Sequence, residues 1–461
     1  MVKRHISNFL KENPLVIPAV VLALAAYSGI FRIKTQPQYR TVFPSESISI
    51  ISGKVVENPT KVSGYKNAYR VKIRLDSVGT ADGAQGYASG IVETYVPTSL
   101  YEIHSPGKLY SAWSGKKQDF IMDCGAKVEF KVVPKNVKNY KDRDGGIKTE
   151  FHVTAIRKCD WECDKNPTNE IPFIGKISAT EKLKCAFEKF LSRAAKIRAL
   201  SRLHFSRLMY AWGNAGGLVL ALLSGSREYL PPEAGEAFRN AGLSHILALS
   251  GMHLSLFSGL AFFIGKKSLG KRFAPILEIV AVLLFFWFAG KSPSLFRALL
   301  FSICATVSAL THKKVKSSLN VLALCFLIHA SIFPNDIFEL GFKLSYGALA
   351  GIICINEFLA KRLYRALPRC AGDSLSQSAG AQFFTIPICL KYFGIFAPGG
   401  MLASTVVSPI ITAFVYLALA AISLSLVFPF LAQIFGSVLG AFYFAIEKLV
   451  IAFARIPRIK I

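Results

Sequence analysis

"HILALSGMHLSLF", residues 245–257, stands at the head of a long apolar run, yet it carries His245, Ser250, Gly251, His253 and Ser255 where leucines would suit lipid better. Ionisable groups inside apolar spans are costly, and they face a bundle interior or a water-filled path. The stretch therefore predicts a membrane helix with one polar face, packed among others. His245 and His253 lie about two helical turns apart, too far for one metal site without further ligands. No HExxH or paired CxxC completes such a site, so no metal or cofactor is expected. A Ser–His catalytic pair would need a positioned acid and a nucleophile elbow, and neither is present. The Ser250–Gly251 step reads as a bend or a close helix contact, because small residues let backbones approach.

The rest of the chain supports a membrane setting. Its 461 residues have a mean hydropathy of +0.40 and are 52% hydrophobic. That is high for a soluble protein and low for one that is membrane throughout, so a helical bundle with one sizeable polar domain fits. The net charge of +27 has two readings. Lys and Arg flank spans on the cytoplasmic side, or a polyanion such as nucleic acid is a partner.

Residues 1–34 place basic residues before an apolar run from Leu15 to Phe31 and read as an uncleaved anchor, with a signal peptide as the rival. Residues 45–160 alternate in the strand manner, as in "YRVKIRL", with turn clusters such as "GTADGAQG" between runs. About five strands in this length predict an all-β domain of the OB-like kind. Tyr69, Val71, Ile73 and Leu75 share one face of their strand, and Arg70, Lys72 and Arg74 share the other. The basic stripe is either a solvated outer face or a track for a phosphate backbone. From Gly53 to Arg157 there are 17 Lys and Arg against 11 Asp and Glu, a weak electrostatic footprint. Of the nine cysteines, Cys124, Cys159 and Cys163 could form a disulfide if the domain faces an oxidising space.

Residues 171–207 form a basic amphipathic region that reads as a helix in the headgroup plane, or as a coupling helix between domains. Apolar segments follow over 208–224, 244–264, 273–290, 294–310, 317–333, 338–359, 378–396, 402–428 and 430–454, making 208–457 a membrane bundle. The basic linkers "GKKSLGKR", "THKKVK" and "KRLYRALPR" occupy every second loop, so all three lie on one side, which the positive-inside rule makes cytoplasmic. The β domain then lies outside, provided that 208–224 does not cross fully or a crossing lies near 170–200. Polar candidates within the spans include Arg297, one turn inside its helix, and the i, i+4 pair Glu339 and Lys343.

At these residues the chain resembles the ComEC family of inner-membrane DNA-uptake channels. "SGSREYLPPEAGEAFRNAGLSHILALSGMHLSLFSG" (224–259) matches its first motif in order and spacing. "SPSLFRALLFS" (292–302), "PNDIFELGFKLSYGALAG" (334–351) and "GAQFFTIPICLKYFGIFAPGGMLASTVVSPI" (380–410) match three more, in order. The resemblance implies His245, Ser250, Gly251, His253, Arg297, Ser345 and Gln382 as path-lining or motif residues, and the spacing of Glu339 and Lys343 makes them either an internal ion pair or a further polar wall of the path. It also implies single-stranded DNA and the lipid bilayer as partners, with a cytoplasmic ATPase or helicase, a DNA-receptor protein and a separate nuclease. Tyr69, Tyr95 and Trp113 would join Arg70, Lys72 and Arg74 as DNA contacts of the β domain.

Three positions depart from the family pattern: Ser226 stands for Asp, Lys343 for Gln and Ser404 for Asn. The metallo-β-lactamase-like domain of many members is not recognisable before the last residue. The expectation is thus a non-enzymatic channel, multi-pass in the bacterial inner membrane, with an extracytoplasmic β domain. A transporter of a small anionic or lipid-linked solute, and a scaffold that has lost transport, are the other readings.

Overall fold

The computed structural model describes residues 13–27, 39–62, 68–104, 122–141, 147–161, 179–249, 251–268, 270–310, 317–365, 368–457 and 459–460. Two compact units form, Lys34–Tyr210 and Met1–Ile33 with Ala211–Ile461.

The first unit is a barrel. Its strands are β1 (Tyr39–Thr41), β2 (Ile48–Val55), β3 (Thr60–Val62), β4 (Ala68–Thr80), β5 (Gln85–Pro97), β6 (Lys127–Lys141) and β7 (Ile147–Asp160). β2 pairs with β4 and β6, β4 with β5, and β6 with β7, all antiparallel. A parallel β5–β7 pairing closes the ring. The five long strands run β2–β4–β5–β7–β6 around it, the order of an OB-like barrel, with a short helix (Thr98–His104) following β5. Period-two alternation dictates the core: Val71, Ile73 and Leu75 point inward beside Ile51, Val92, Phe130 and Phe151. The 33-residue helix Ala179–Ala211 seals the barrel with Ala195, Ala199 and Leu203. Arg198 reaches Asn58 at 2.8 Å, and Arg202 reaches Asp123 at 3.3 Å.

In chain order the helices are α1 (Val16–Tyr27), α2 (Thr98–His104), α3 (Ala179–Ala211), α4 (Gly213–Ser224), α5 (Pro232–Asn240), α6 (Gly251–Ser268) and α7 (Ala274–Ala289). There follow α8 (Pro293–Leu310), α9 (Ser318–Ile332), α10 (Leu340–Leu363), α11 (Arg369–Phe393), α12 (Gly400–Val427) and α13 (Leu431–Ala454). Among the described residues α10, α12 and α13 are long and apolar enough to cross a membrane, and shorter apolar helices accompany them. A polytopic helical bundle with an N-terminal β domain is thus the observed architecture.

Two segments differ from their sequence reading. Residues 208–224 are not one run: α3 ends at Ala211, and α4 has only 12 residues. At 1.5 Å per residue α4 rises about 18 Å, well short of the hydrocarbon thickness. The run 244–264 begins its helix only at Gly251. Gly242, at φ +75°, closes α5, with Leu243 N–H donating to the Phe238 carbonyl and Gly242 N–H to that of Arg239. This Schellman geometry turns the chain into the non-helical stretch 243–249.

Helix contacts rest on small residues. A Cβ at Gly351 of α10 would lie 2.1 Å from the Gly380 carbonyl oxygen of α11, so the two backbones touch there. Gly351→Ala is expected to cost about 1–3 kcal/mol through overpacking. Thermal unfolding in detergent should show a lowered midpoint, whereas Gly440→Ala, which meets nothing within 4 Å, should not.

Candidate functional site

The non-helical start of residues 245–257 changes the chemistry of that stretch. His245 lies before α6 and His253 within it, so the two do not share one helical face. His245 Nε2 instead stands 3.4 Å from the Ser404 hydroxyl, near the start of α12. Close by, a Cβ at Gly242 would lie 3.0 Å from the Gly400 Cα. His253 is buried inside the bundle, and Ser250 lies outside the described residues.

Gly251 faces Arg297. A Cβ there would come to 3.4 Å from the guanidinium and from the Ala298 side chain. Arg297 sits one turn into α8, whose first residue is Pro293, a residue preorganised for a helix start. Its Nε donates to the Ser345 hydroxyl of α10 at 2.7 Å. The motif segments that begin α6, α8 and α10 therefore meet at Arg297, and the fourth joins through Ser404.

A charged network adjoins this cluster, built on Asp336, a polar residue visible in the sequence after Pro334, and on the partners His329 and Lys291 that the sequence reading missed. Asp336 sits in the turn Pro334–Phe338 and accepts from Lys291 Nζ at 3.0 Å. Its other oxygen lies 3.2 Å from His329 Nε2, and His329 Nδ1 lies 3.3 Å from the Tyr346 hydroxyl. Tyr346 donates onward to the Cys325 carbonyl at 3.1 Å. The rings of Phe296, Phe333 and Phe342 surround the imidazole edge to face. Lys291 Nζ also lies 3.7 Å from the Phe333 ring centre, a cation–π contact. The signal in the sequence was a lone His in an apolar run with Asp seven residues on, beyond a Pro.

The remaining bundle candidates scatter. Lys343 donates to the Tyr392 hydroxyl of α11 at 2.8 Å, and Glu339 stands at the N-cap of α10. Gln382 Oε1 is buried with no hydrogen-bond partner among the described residues. No group of three or more His, Cys, Asp or Glu among those residues could hold a metal ion.

In the barrel, Arg70 and Arg74 point outward and are exposed, and Lys72 pairs with Glu57 at 3.0 Å. Tyr95 is half-buried and stacks on His152 at 5.5 Å. Burial and the neighbouring Glu150 and Glu93 raise its pKa. The expectation for Tyr69 is corrected: its ring is buried and stacked on Tyr101 at 3.7 Å, so it offers no face to a base. Strand parity turns it inward. Trp113 and Cys163 lie outside the described residues.

Cys124 and Cys159 are free thiols, so they do not form the expected disulfide with each other. Cys124 donates to the Val56 carbonyl at 2.9 Å, and Cys159 is buried in the barrel core. Burial pushes the Cys159 thiol up to about 12, helped by the Asp160 charge, and burial raises Cys124 as well. The thiolate is the nucleophile, so both should resist alkylation at pH 8. Peptide mass spectrometry after iodoacetamide treatment should find them unmodified in the folded chain and modified after urea unfolding.

Removing the shared acceptor in Asp336→Ala strands a buried His329 and should cost about 3 kcal/mol. Lys291→Ala should cost only about 1 kcal/mol, because Lys291 is 44% exposed. Thermal midpoints of the two variants test that ranking.

A family model described as "Competence protein" matches residues 222–461. The chain is 28% identical over 178 residues to ComE operon protein 3 of Bacillus subtilis (strain 168), covering 38% of this chain and 22% of that protein. It is 29% identical over 214 residues to an uncharacterized protein of Aquifex aeolicus (strain VF5), covering 46% of this chain and 48% of that one. The matched stretches thus span less than half the length of either relative. No solved structure matches. With its family model covering more than half of the sequence, the chain belongs to the competence protein (ComEC) family.

Proposed function

We propose that this protein passes single-stranded DNA through the bacterial inner membrane during DNA uptake. The observation that carries the reading is the meeting of the motif segments at Arg297. Its Nε is used by Ser345, and a guanidinium has further donors in a fixed fork that suits phosphate. A fixed cation lowers the barrier for a polyanion in an apolar bundle. The positive-inside rule puts the basic linkers in the cytoplasm, so in this reading Arg297, near the opposite end of its helix, faces outward.

The exposed Arg70 and Arg74 support a receiving role for the barrel, which the reading places outside the cytoplasm. Helix α3 supports a position at the lipid headgroups. Phe187, Phe190 and Ile197 are exposed along it, with Lys189, Arg193 and Lys196 interspersed. The protein itself does no chemistry in this reading. The family resemblance adds a cytoplasmic ATPase or helicase that pulls the strand, a receptor protein that delivers it and a nuclease that removes its complement.

Arg297→Glu is expected to abolish uptake of labelled DNA. Arg297→Gln, which keeps a donor for Ser345, should lower uptake at least tenfold at unchanged protein level (about 1.4 kcal/mol in barrier). Normal uptake by the Gln variant would remove Arg297 from the path.

A further inference from the structure

We infer that Arg227 and Arg239 form a phosphate clamp for the entering single strand, ahead of Arg297 on its route. This rests on the DNA reading above and names two cations that it did not include.

Both guanidiniums are exposed. Arg227 stands between α4 and α5, and Arg239 lies in the last turn of α5. They stand close enough that the Arg239 charge, second to partial burial, lowers the Arg227 pKa, and no carboxylate acts against it there. Among the described residues neither guanidinium makes a hydrogen bond or an ion pair. A helix C-terminus favours a cation, and Arg227 follows that of α4 as Arg239 occupies that of α5. That gives each cation a place, and no reason to stand beside the other. Ser226 supplies a hydroxyl where the family pattern has Asp, one negative charge fewer beside Arg227. Two forked guanidiniums without a counter-charge suit a phosphodiester, which accepts from both.

The backbones that carry them are fixed. A Cβ at Gly217 of α4 would lie 2.2 Å from the Tyr229 carbonyl oxygen, so the turn 227–230 rests directly on that helix. Leu230 is buried, and its N–H donates to the Arg227 carbonyl at 3.3 Å. Phe238 is buried and anchors α5, and the Arg239 carbonyl accepts from Gly242 N–H at 3.1 Å. Gly242 in turn backs onto Gly400 of α12. Little ordering of the chain is then needed when an anion binds.

The clamp adjoins the Arg297 cluster. A Cβ at Gly225, two residues before Arg227, would lie 2.9 Å from the Leu249 side chain. Leu249 packs on the apolar cluster that contains Ala298, the neighbour of Arg297. The linker after α6 is basic and cytoplasmic by the positive-inside rule, so the segment before α6 lies outside. A strand entering from that side meets Arg227 and Arg239 first.

The test uses the full chain in nanodiscs of zwitterionic lipid with a fluorescent oligothymidine, titrated over a range of salt. On single strands each phosphate contact contributes about 0.7 to the slope of log affinity against log salt. The double variant Arg227→Gln, Arg239→Gln should therefore lower the slope by about 1.4, and each single variant by about half of that. Arg227→Lys keeps the charge and should keep the slope. Ser226→Asp places a carboxylate beside Arg227 and should lower the slope as Arg227→Gln does. A wild-type slope in the double variant, or an equal fall in Arg227→Lys, would overturn the clamp and leave the DNA reading standing. Nanodiscs containing phosphatidylglycerol separate the strand from a lipid headgroup of the same chemistry. The slope difference between the wild type and the double variant should persist there, and its disappearance would give the site to the headgroup and overturn the clamp. Failure of the wild-type protein to bind at low salt would overturn the DNA reading and this inference together.

Discussion

A guanidinium one turn inside an apolar helix constrains everything packed around it. Arg297 has to find polar partners within the bundle or be drawn to the interface. Ser345 supplies one partner from α10, and Gly251 supplies space by having no side chain where α6 passes. Each requirement fixes a neighbour. α6 has to begin at the glycine, α10 has to present its serine to α8, and α8 has to start at Pro293 for Arg297 to fall at that depth. Three of the four segments that carry family motifs are thus segments whose positions the partly buried cation constrains.

Much of the bundle was legible because hydropathy reports membrane helices directly. The apolar runs predicted over 273–290, 294–310 and 317–333 match α7, α8 and α9 to within a few residues. The failures share a cause. Hydropathy sees composition, and helix starts depend on hydrogen bonds. Residues 244–249 are as apolar as the first turns of α6, yet the cap at Gly242 turns them out of the helix. The His329 network escaped for a related reason. Its members come from the loop before α8, the end of α9, a turn after Pro334 and the body of α10. No single window contains them, and only the turn brings Asp336 back beneath His329.

The barrel divides in the same way. Alternation along β4 separated the inward and outward sets correctly, including Tyr69 on the apolar side, and that parity is why the ring cannot serve as an outer platform. A row across strands is different. Lys54 and Lys127 lie 73 positions apart in the sequence and become neighbours only through pairing. Within one strand each is an ordinary solvated lysine. A charge count for the whole domain, 17 Lys and Arg against 11 Asp and Glu from Gly53 to Arg157, carries no trace of that pairing.

This distinction bears on the excess of basic residues. Flanking charge set by topology is expected in short loops on one side of the membrane, and in the sequence "GKKSLGKR", "THKKVK" and "KRLYRALPR" fall at every second loop, as that rule requires. That reason does not reach Arg297, one turn inside its helix and held by Ser345. A guanidinium drawn into an apolar bundle costs free energy unless polar partners satisfy it, and phosphates would use the donors that Ser345 leaves. That placement therefore argues for the proposed passage more strongly than the net charge of +27 does.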